Sequence, residues 1–205
     1  MPDENYRISR RALFHATYGG EAVLVKFSET YSEVAHRALA DADLAPKLYF
    51  HTLLKGGIHM VIMEYIAGRD AYQEFAYREL PQVVVDKVKV ALRTLHDMGF
   101  VHGDIRRANI LAKNVKVPRA ASESGAVNSM DSKATVPSYE AYVTNFDHIG
   151  RADVDRYSPF LNTSIAWPQG MNRWWLMEKR HDEEMLENIT RPGLHPDSVF
   201  PYNSY

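Results

Sequence analysis

The chain has 205 residues, 45% of them apolar, with 24 basic against 26 acidic side chains and a formal charge of −2. That length buries a sizeable core and fits one domain, residues 1–205. The absence of cysteine excludes disulfides, thiolate metal sites and cysteine nucleophiles, and the near-neutral charge offers no overall basic field for nucleic acid or an anionic membrane. Any phosphate chemistry therefore has to come from a local site. The opening "MPDENYRISRRALFHATYGG" is charged and lacks the apolar centre of a signal peptide, and no later run approaches a membrane span. The expectation is a soluble, cytoplasmic protein with neither nucleic acid nor membrane as partner.

Taken in order, "RRALFHATY" and "EAVLVKF" read as two strands joined by the turn Gly19-Gly20. "SETYSEVAHRALADADL" follows as a helix, where Thr30 and Glu33 have capping-box spacing and Pro46 marks the end. "KLYFHTLL" and "GIHMVIMEYI" predict a second hairpin through Lys55-Gly56-Gly57. After Gly68, "PQVVVDKVKVALRTLHDMG" places Val84, Val88, Ala91, Leu92 and Leu95 at helical spacing, with Pro81 at its start and Gly99 past its end. Strand-like runs cover 100–102, 110–117 and 139–146. The Ser/Ala-rich, aromatic-free insert at 118–138 predicts a surface loop. A last helix is expected over 174–189, before the Pro-rich tail "RPGLHPDSVFPYNSY".

Phosphoryl transfer needs a cation on the nucleotide phosphates, a carboxylate to orient the acceptor hydroxyl, and oxygen ligands for magnesium. "VHGDIRRANIL", residues 101–111, sets Asp104 and Asn109 at the Asp-x-x-x-x-Asn spacing of a kinase catalytic loop, the Asp facing the acceptor and the Asn reaching the metal. Its context of helix, short strand, loop and short strand agrees.

On these residues the chain resembles the protein-kinase-like superfamily. The His-Gly-Asp form looks more like aminoglycoside phosphotransferases and small atypical kinases than like the His-Arg-Asp of typical protein kinases. With "VLVKF", "LAPKLYF", "RYSPFLNTSIAWP" and "RHDEEMLE" in this order, it also looks like a fungal-type family of kinase-like proteins. The resemblance implies an α+β, two-lobed kinase-like fold: an antiparallel N-lobe sheet with one helix over 1–66, and a helical C-lobe over 67–205. It implies Lys26 on the nucleotide phosphates, with Glu33 as its partner on the following helix; the capping-box reading of Glu33 stands beside that one. It makes "MEYIAG" (63–68) the hinge, whose backbone at Glu64 and Ile66 would meet the adenine edge. No G-x-G-x-x-G precedes Lys26, so Gly19-Gly20 is expected to be a plain turn. His102 is implied to brace the loop. Asp182 is implied to be a buried acceptor for that loop, which displaces an HD-type hydrolase reading of His181-Asp182. Arg106 and Arg107 stand either as contacts to a phosphate or acidic acceptor or as a solvated pair.

The remaining metal position, an aspartate in the family, is Asn145 in "VTNFDHIG". An amide is a weaker magnesium ligand than a carboxylate. Asp147 lies on the same side of an extended segment, yet about 6.6 Å further along, so it substitutes only through a local bend or a moved metal; otherwise it is a polar loop residue. The expected cofactors are ATP and Mg²⁺, with transfer of the γ-phosphate to a hydroxyl of a protein or small molecule. The alternative is a pseudokinase that binds nucleotide or a partner without turnover: Asp104 favours the first, Asn145 the second.

Overall fold

The computed structural model describes residues 12–118, 135–162 and 165–190. Two hairpins separated by a helix open the chain, in the order that the sequence predicts. Strands β1 (Ala12–Tyr18) and β2 (Glu21–Ser28) join at Gly19-Gly20, both at positive φ, a two-residue turn whose backbone glycine tolerates without strain. Strands β3 (Leu48–Leu53) and β4 (His59–Glu64) form the second pair, and β4 adds to β2, giving the antiparallel order β1-β2-β4-β3. Helix α1 (Glu33–Asp41) lies between them and buries Ala35, His36, Leu39 and Ala40. It begins two residues later than the Thr30 cap would set it. Its N-cap is Ser32, whose Oγ accepts from the Ala35 N–H at 3.4 Å, so the Thr30 capping box does not form.

Past the sheet, the short β5 (Arg69–Asp70) and α2 (Ala71–Phe75) lead to α3 (Gln82–Asp97). Its buried stripe of Val84, Val85, Val88, Ala91, Leu92 and Leu95 follows the helical period and forms the centre of the main core. Gly99, at φ +82°, turns the chain out of the helix. Strand β6 (Phe100–Val101) precedes the loop 102–109, and a 3-10 turn at Arg107–Asn109 leads into β7 (Ile110–Pro118). β7 pairs with β8 (Thr135–Val143) along nine positions, out to Pro118 against Thr135. The ends of the insert expected as loop at 118–138 are therefore ladder residues; 119–134 lie outside the described residues.

Strand β9 (Gly150–Arg151) pairs with β6, and α4 (Lys179–Thr190) closes the described chain. This last helix was expected from 174. Residues 174–178 are instead non-helical: Trp174 has φ +68°, and the segment is bonded back to 155–157 through Tyr157 N–H to Trp175 O (3.0 Å) and Met177 N–H to Asp155 O (2.9 Å). The tail at 191–205 lies outside the described residues. Gly68 is required by close approach: a β-carbon there would lie 2.8 Å from the Ala112 carbonyl oxygen. That glycine lets the connection between the two halves run flush against β7.

Candidate active site

The loop 102–109 is held from beneath by α4. Asp182, fully buried, accepts from the backbone N–H of His102 at 2.7 Å and of Gly103 at 2.9 Å, and from His96 Nε2 at 3.0 Å. This is the bracing role expected of it. His102 donates through Nε2 to the Thr144 carbonyl (3.1 Å) and accepts the Asp104 N–H at Nδ1 (3.3 Å), so a neutral ring ties the loop to the end of β8. Its burial lowers its pKa, which keeps that tautomer in place.

Asp104 emerges from this frame only 2% exposed. Asn109 Nδ2 donates to both the Asp104 carbonyl (2.8 Å) and Oδ2 (2.7 Å), and Asn145 Nδ2 donates to Oδ2 at 3.0 Å. Arg106 grips the same carboxylate through Nε to Oδ1 and Nη2 to Oδ2, the latter at 2.9 Å. Burial alone would raise the Asp104 pKa, but the hydrogen bonds and charge of Arg106 outweigh it and hold the group below the usual carboxylate range. Arg106 also lies 5.7 Å from the centroid of the Trp167 ring, so its guanidinium is bounded on two sides.

The two arginines thus have separate fates, neither of them a solvated pair. Arg107 is fully buried and donates to the carbonyls of Ile189 (2.8 Å), Ala76 (2.7 Å) and Arg78 (2.8 Å), capping the end of α4 and the turn after α2.

Lys26 lies on β2, 6% exposed, and points at the same spot. Its expected pairing with Glu33 does not form. Glu33 turns to Arg37 Nε (2.8 Å) one helical turn on and to His51 Nδ1 (2.7 Å) on β3, two donors that lower its pKa. Lys26 Nζ instead donates to Asp147 Oδ1 at 2.5 Å and Asn145 Oδ1 at 3.3 Å. Asn145 adopts φ +69°, and this left-handed residue supplies the bend that brings Asp147 into the cleft. The segment is pinned to the start of α1 by Ser32 N–H to the Phe146 carbonyl (3.0 Å) and Thr30 Oγ1–H to the Asp147 carbonyl (2.7 Å). Phe146 stacks on His36 of α1, with ring centroids 4.2 Å apart.

A cleft of about 280 Å³ opens between the sheet and this loop. Leu13, Leu24, Pro46, Met63, Ile66 and Leu111 give it apolar walls, Glu64 lies at the end of β4, and Lys26, Asn109 and Asn145 form its polar end. An apolar slot with a few convergent polar groups suits a planar base with a charged tail. Among the described residues, no group of three or more His, Cys, Asp or Glu side chains is placed to hold a metal ion. The oxygen donors at the polar end are the Asp147 carboxylate and the Asn109 and Asn145 amides. That set fits a magnesium ion carried in by a nucleotide, since Mg²⁺ in such sites takes one or two carboxylates and completes its shell with phosphates and water.

The clamp of Arg106 on Asp104 and the turn of Glu33 toward His51 are absent from the sequence-based reading. The first had a signal: Asp104 and Arg106 are two apart in an extended stretch, so they share a side. The second had none, because His51 is 18 residues from Glu33 on another element.

No family model matches the sequence. The chain is similar to the serine/threonine-protein kinase LATS2 of mouse and of human, 30% identical over 109 residues in each case; the match takes in 47% of this chain and a tenth of the length of those kinases. Two solved structures share its architecture: the kinase PK-1 of Cydia pomonella granulovirus (TM-score 0.63, 13% identity, 94% of this chain and 67% of that one) and the kinase domain of PknI from Mycobacterium tuberculosis (TM-score 0.53, 16% identity, 93% and 72%). The chain has the two-lobed α+β fold of protein kinases.

Proposed function

We propose that the chain is an ATP-dependent phosphotransferase that moves the γ-phosphate to a hydroxyl of a protein or small molecule. The lobes divide near residue 66, and the base lies in the apolar slot beside Glu64 and Ile66. The observation that carries this reading is Asp104: ionised, oriented by Asn109 at 2.7 Å, and braced through His102 and Gly103 by Asp182. A scaffold has no chemical use for a carboxylate so held. The partial similarity to a serine/threonine-protein kinase supports a hydroxyl acceptor.

In this reading Lys26 holds the phosphate chain, and Asn109, Asn145 and Asp147 face the metal. Bound magnesium would supply charge neutralisation on the phosphates. Asp104 accepts a hydrogen bond from the acceptor hydroxyl, aims its oxygen at the γ-phosphorus and takes up its proton as the new P–O bond forms, while the bond to the β-phosphate oxygen breaks and ADP leaves. For that, Arg106 has to release at least one Asp104 oxygen, and its freed guanidinium then lies beside the phosphate being transferred.

The second reading, a pseudokinase, is favoured by one specific feature: Arg106, Asn109 and Asn145 together occupy the Asp104 carboxylate, and Asn145 supplies no charge to a metal. Phosphotransfer from labelled ATP to a pool of hydroxyl acceptors, compared between the wild type and Asp104→Asn, decides between them. Transfer that Asp104→Asn abolishes is the expected result; abundant transfer by that variant removes the central claim, and nucleotide binding without transfer by either protein favours the pseudokinase.

A further inference from the structure

Two of the three oxygen donors at the polar end already face a cation. Asp147 Oδ1 and Asn145 Oδ1 converge on the Lys26 ammonium at 2.5 and 3.3 Å, and both side chains of the ion pair are more than nine-tenths buried. Glu33, the helix carboxylate expected to pair with the lysine, is engaged with Arg37 and His51. Resting on the phosphotransferase reading, we infer that Asp147 is a positioning residue that exchanges partners: it holds Lys26 when no nucleotide is present, and turns to the magnesium ion when the phosphates draw Lys26 away.

The geometry suits an exchange of side chains over a fixed backbone. The Asp147 carbonyl is held by Thr30 Oγ1, the Phe146 carbonyl by the Ser32 N–H, and the Phe146 ring by His36. Only the short Asp147 side chain and the long Lys26 stem have to rotate. Charge balance gives the exchange its direction. Phosphates arriving without a metal must separate a buried ion pair and leave the Asp147 carboxylate facing them, whereas phosphates arriving with magnesium offer each member of the pair a new partner of opposite charge. Metal-free nucleotide is thereby discriminated against by the same carboxylate that rewards the metal complex.

The test is calorimetric titration of the full chain with adenosine and with ADP, in EDTA and in Mg²⁺, on the wild type and on Asp147→Asn. In the wild type, metal-free ADP is expected to bind no tighter than adenosine, and Mg²⁺ to tighten ADP by roughly tenfold or more. Asp147→Asn, which removes the buried charge pairing with Lys26 and the carboxylate proposed for the metal, should tighten ADP in EDTA and lose most of the Mg²⁺ enhancement. A merely structural role would weaken every titration together. If Asp147→Asn binds metal-free ADP no better than the wild type, or keeps the full Mg²⁺ effect, the exchange is overturned while the nucleotide site stands. Should that variant not fold, the wild type alone decides: ADP binding far tighter than adenosine in EDTA overturns the exchange. No binding of either ligand in either buffer overturns the phosphotransferase reading as well.

Discussion

Asn145 donates its Nδ2 hydrogen to the Asp104 carboxylate at 3.0 Å, a bond that an aspartate in its place could not make. The amide therefore helps to hold the carboxylate on which the proposed transfer depends. Asn145→Asp replaces this donor with a second carboxylate at contact distance, which raises the proton affinity of the pair and destabilises the protein at neutral pH without metal. The expected loss is about 1–3 kcal/mol, recovered when Mg²⁺ and nucleotide are added together. Thermal unfolding of both proteins in EDTA and with Mg·ADP measures it; a variant as stable as the wild type in EDTA would sink the argument.

Asp182 carries the loop 102–109 through two buried backbone N–H groups and is bonded to His96. Asp182→Ala strands two buried backbone donors and removes the partner of His96, and a loss of roughly 3 kcal/mol or more follows. Urea denaturation gives the figure, and a cost under about 1 kcal/mol would show that the loop is braced by other means.

Arg107→Lys is the discriminating change at the buried arginine. A lysine keeps the charge but cannot direct donors at the carbonyls of Ile189, Ala76 and Arg78 at once. An unfolding cost of about 2–3 kcal/mol is expected, with the loss of order concentrated in the final turn of α4. Amide hydrogen exchange across residues 185–190 reports the second part: exchange there as slow as in the wild type contradicts it.

Acid stability should turn on His36. Burial presses its pKa from 6.5 down to about 4, while its Nε2–H donates to the Pro46 carbonyl at 2.7 Å and the Tyr31 hydroxyl donates to Nδ1. Between pH 6.5 and 4 the unfolded chain takes up a proton that the folded chain refuses. The stability is therefore complete above pH 6.5 and falls as the pH drops, by about 2 kcal/mol at pH 5 from this residue alone. His36→Leu should be less stable at pH 7 yet show a shallower decline between pH 7 and 5. A wild-type and variant pair with parallel profiles would refute the assignment.

The elements that were legible in advance have local causes. The Gly19-Gly20 turn, the β-rich run of β2, the Val84–Leu95 stripe and the Asp104–Asn109 spacing are all written within one element or one loop. Misplaced boundaries have equally local explanations: Ser32 outcompetes Thr30 as the cap of α1, and Trp174 at φ +68° delays α4 by pairing its segment with 155–157. The brace from Asp182 was foreseen only because the motif order resembles a known family; nothing in the spacing of residues 102 and 182 reveals it.

By itself, the amino-acid sequence determined the two opening hairpins with a helix between them, the helix α3 with its apolar face, and the presence of one candidate acid–base group with its amide neighbour. The tertiary structure alone decided partnership. Lys26 meets Asp147 across 121 positions and not Glu33 seven residues away, because β2 directs the lysine into the cleft while α1 presents Glu33 to Arg37 and His51. Periodicity and turn chemistry act over a few residues, so they can be read along the chain. The choice of a buried charge's partner depends on which side chains converge in one desolvated space, and that is settled only when distant segments pack.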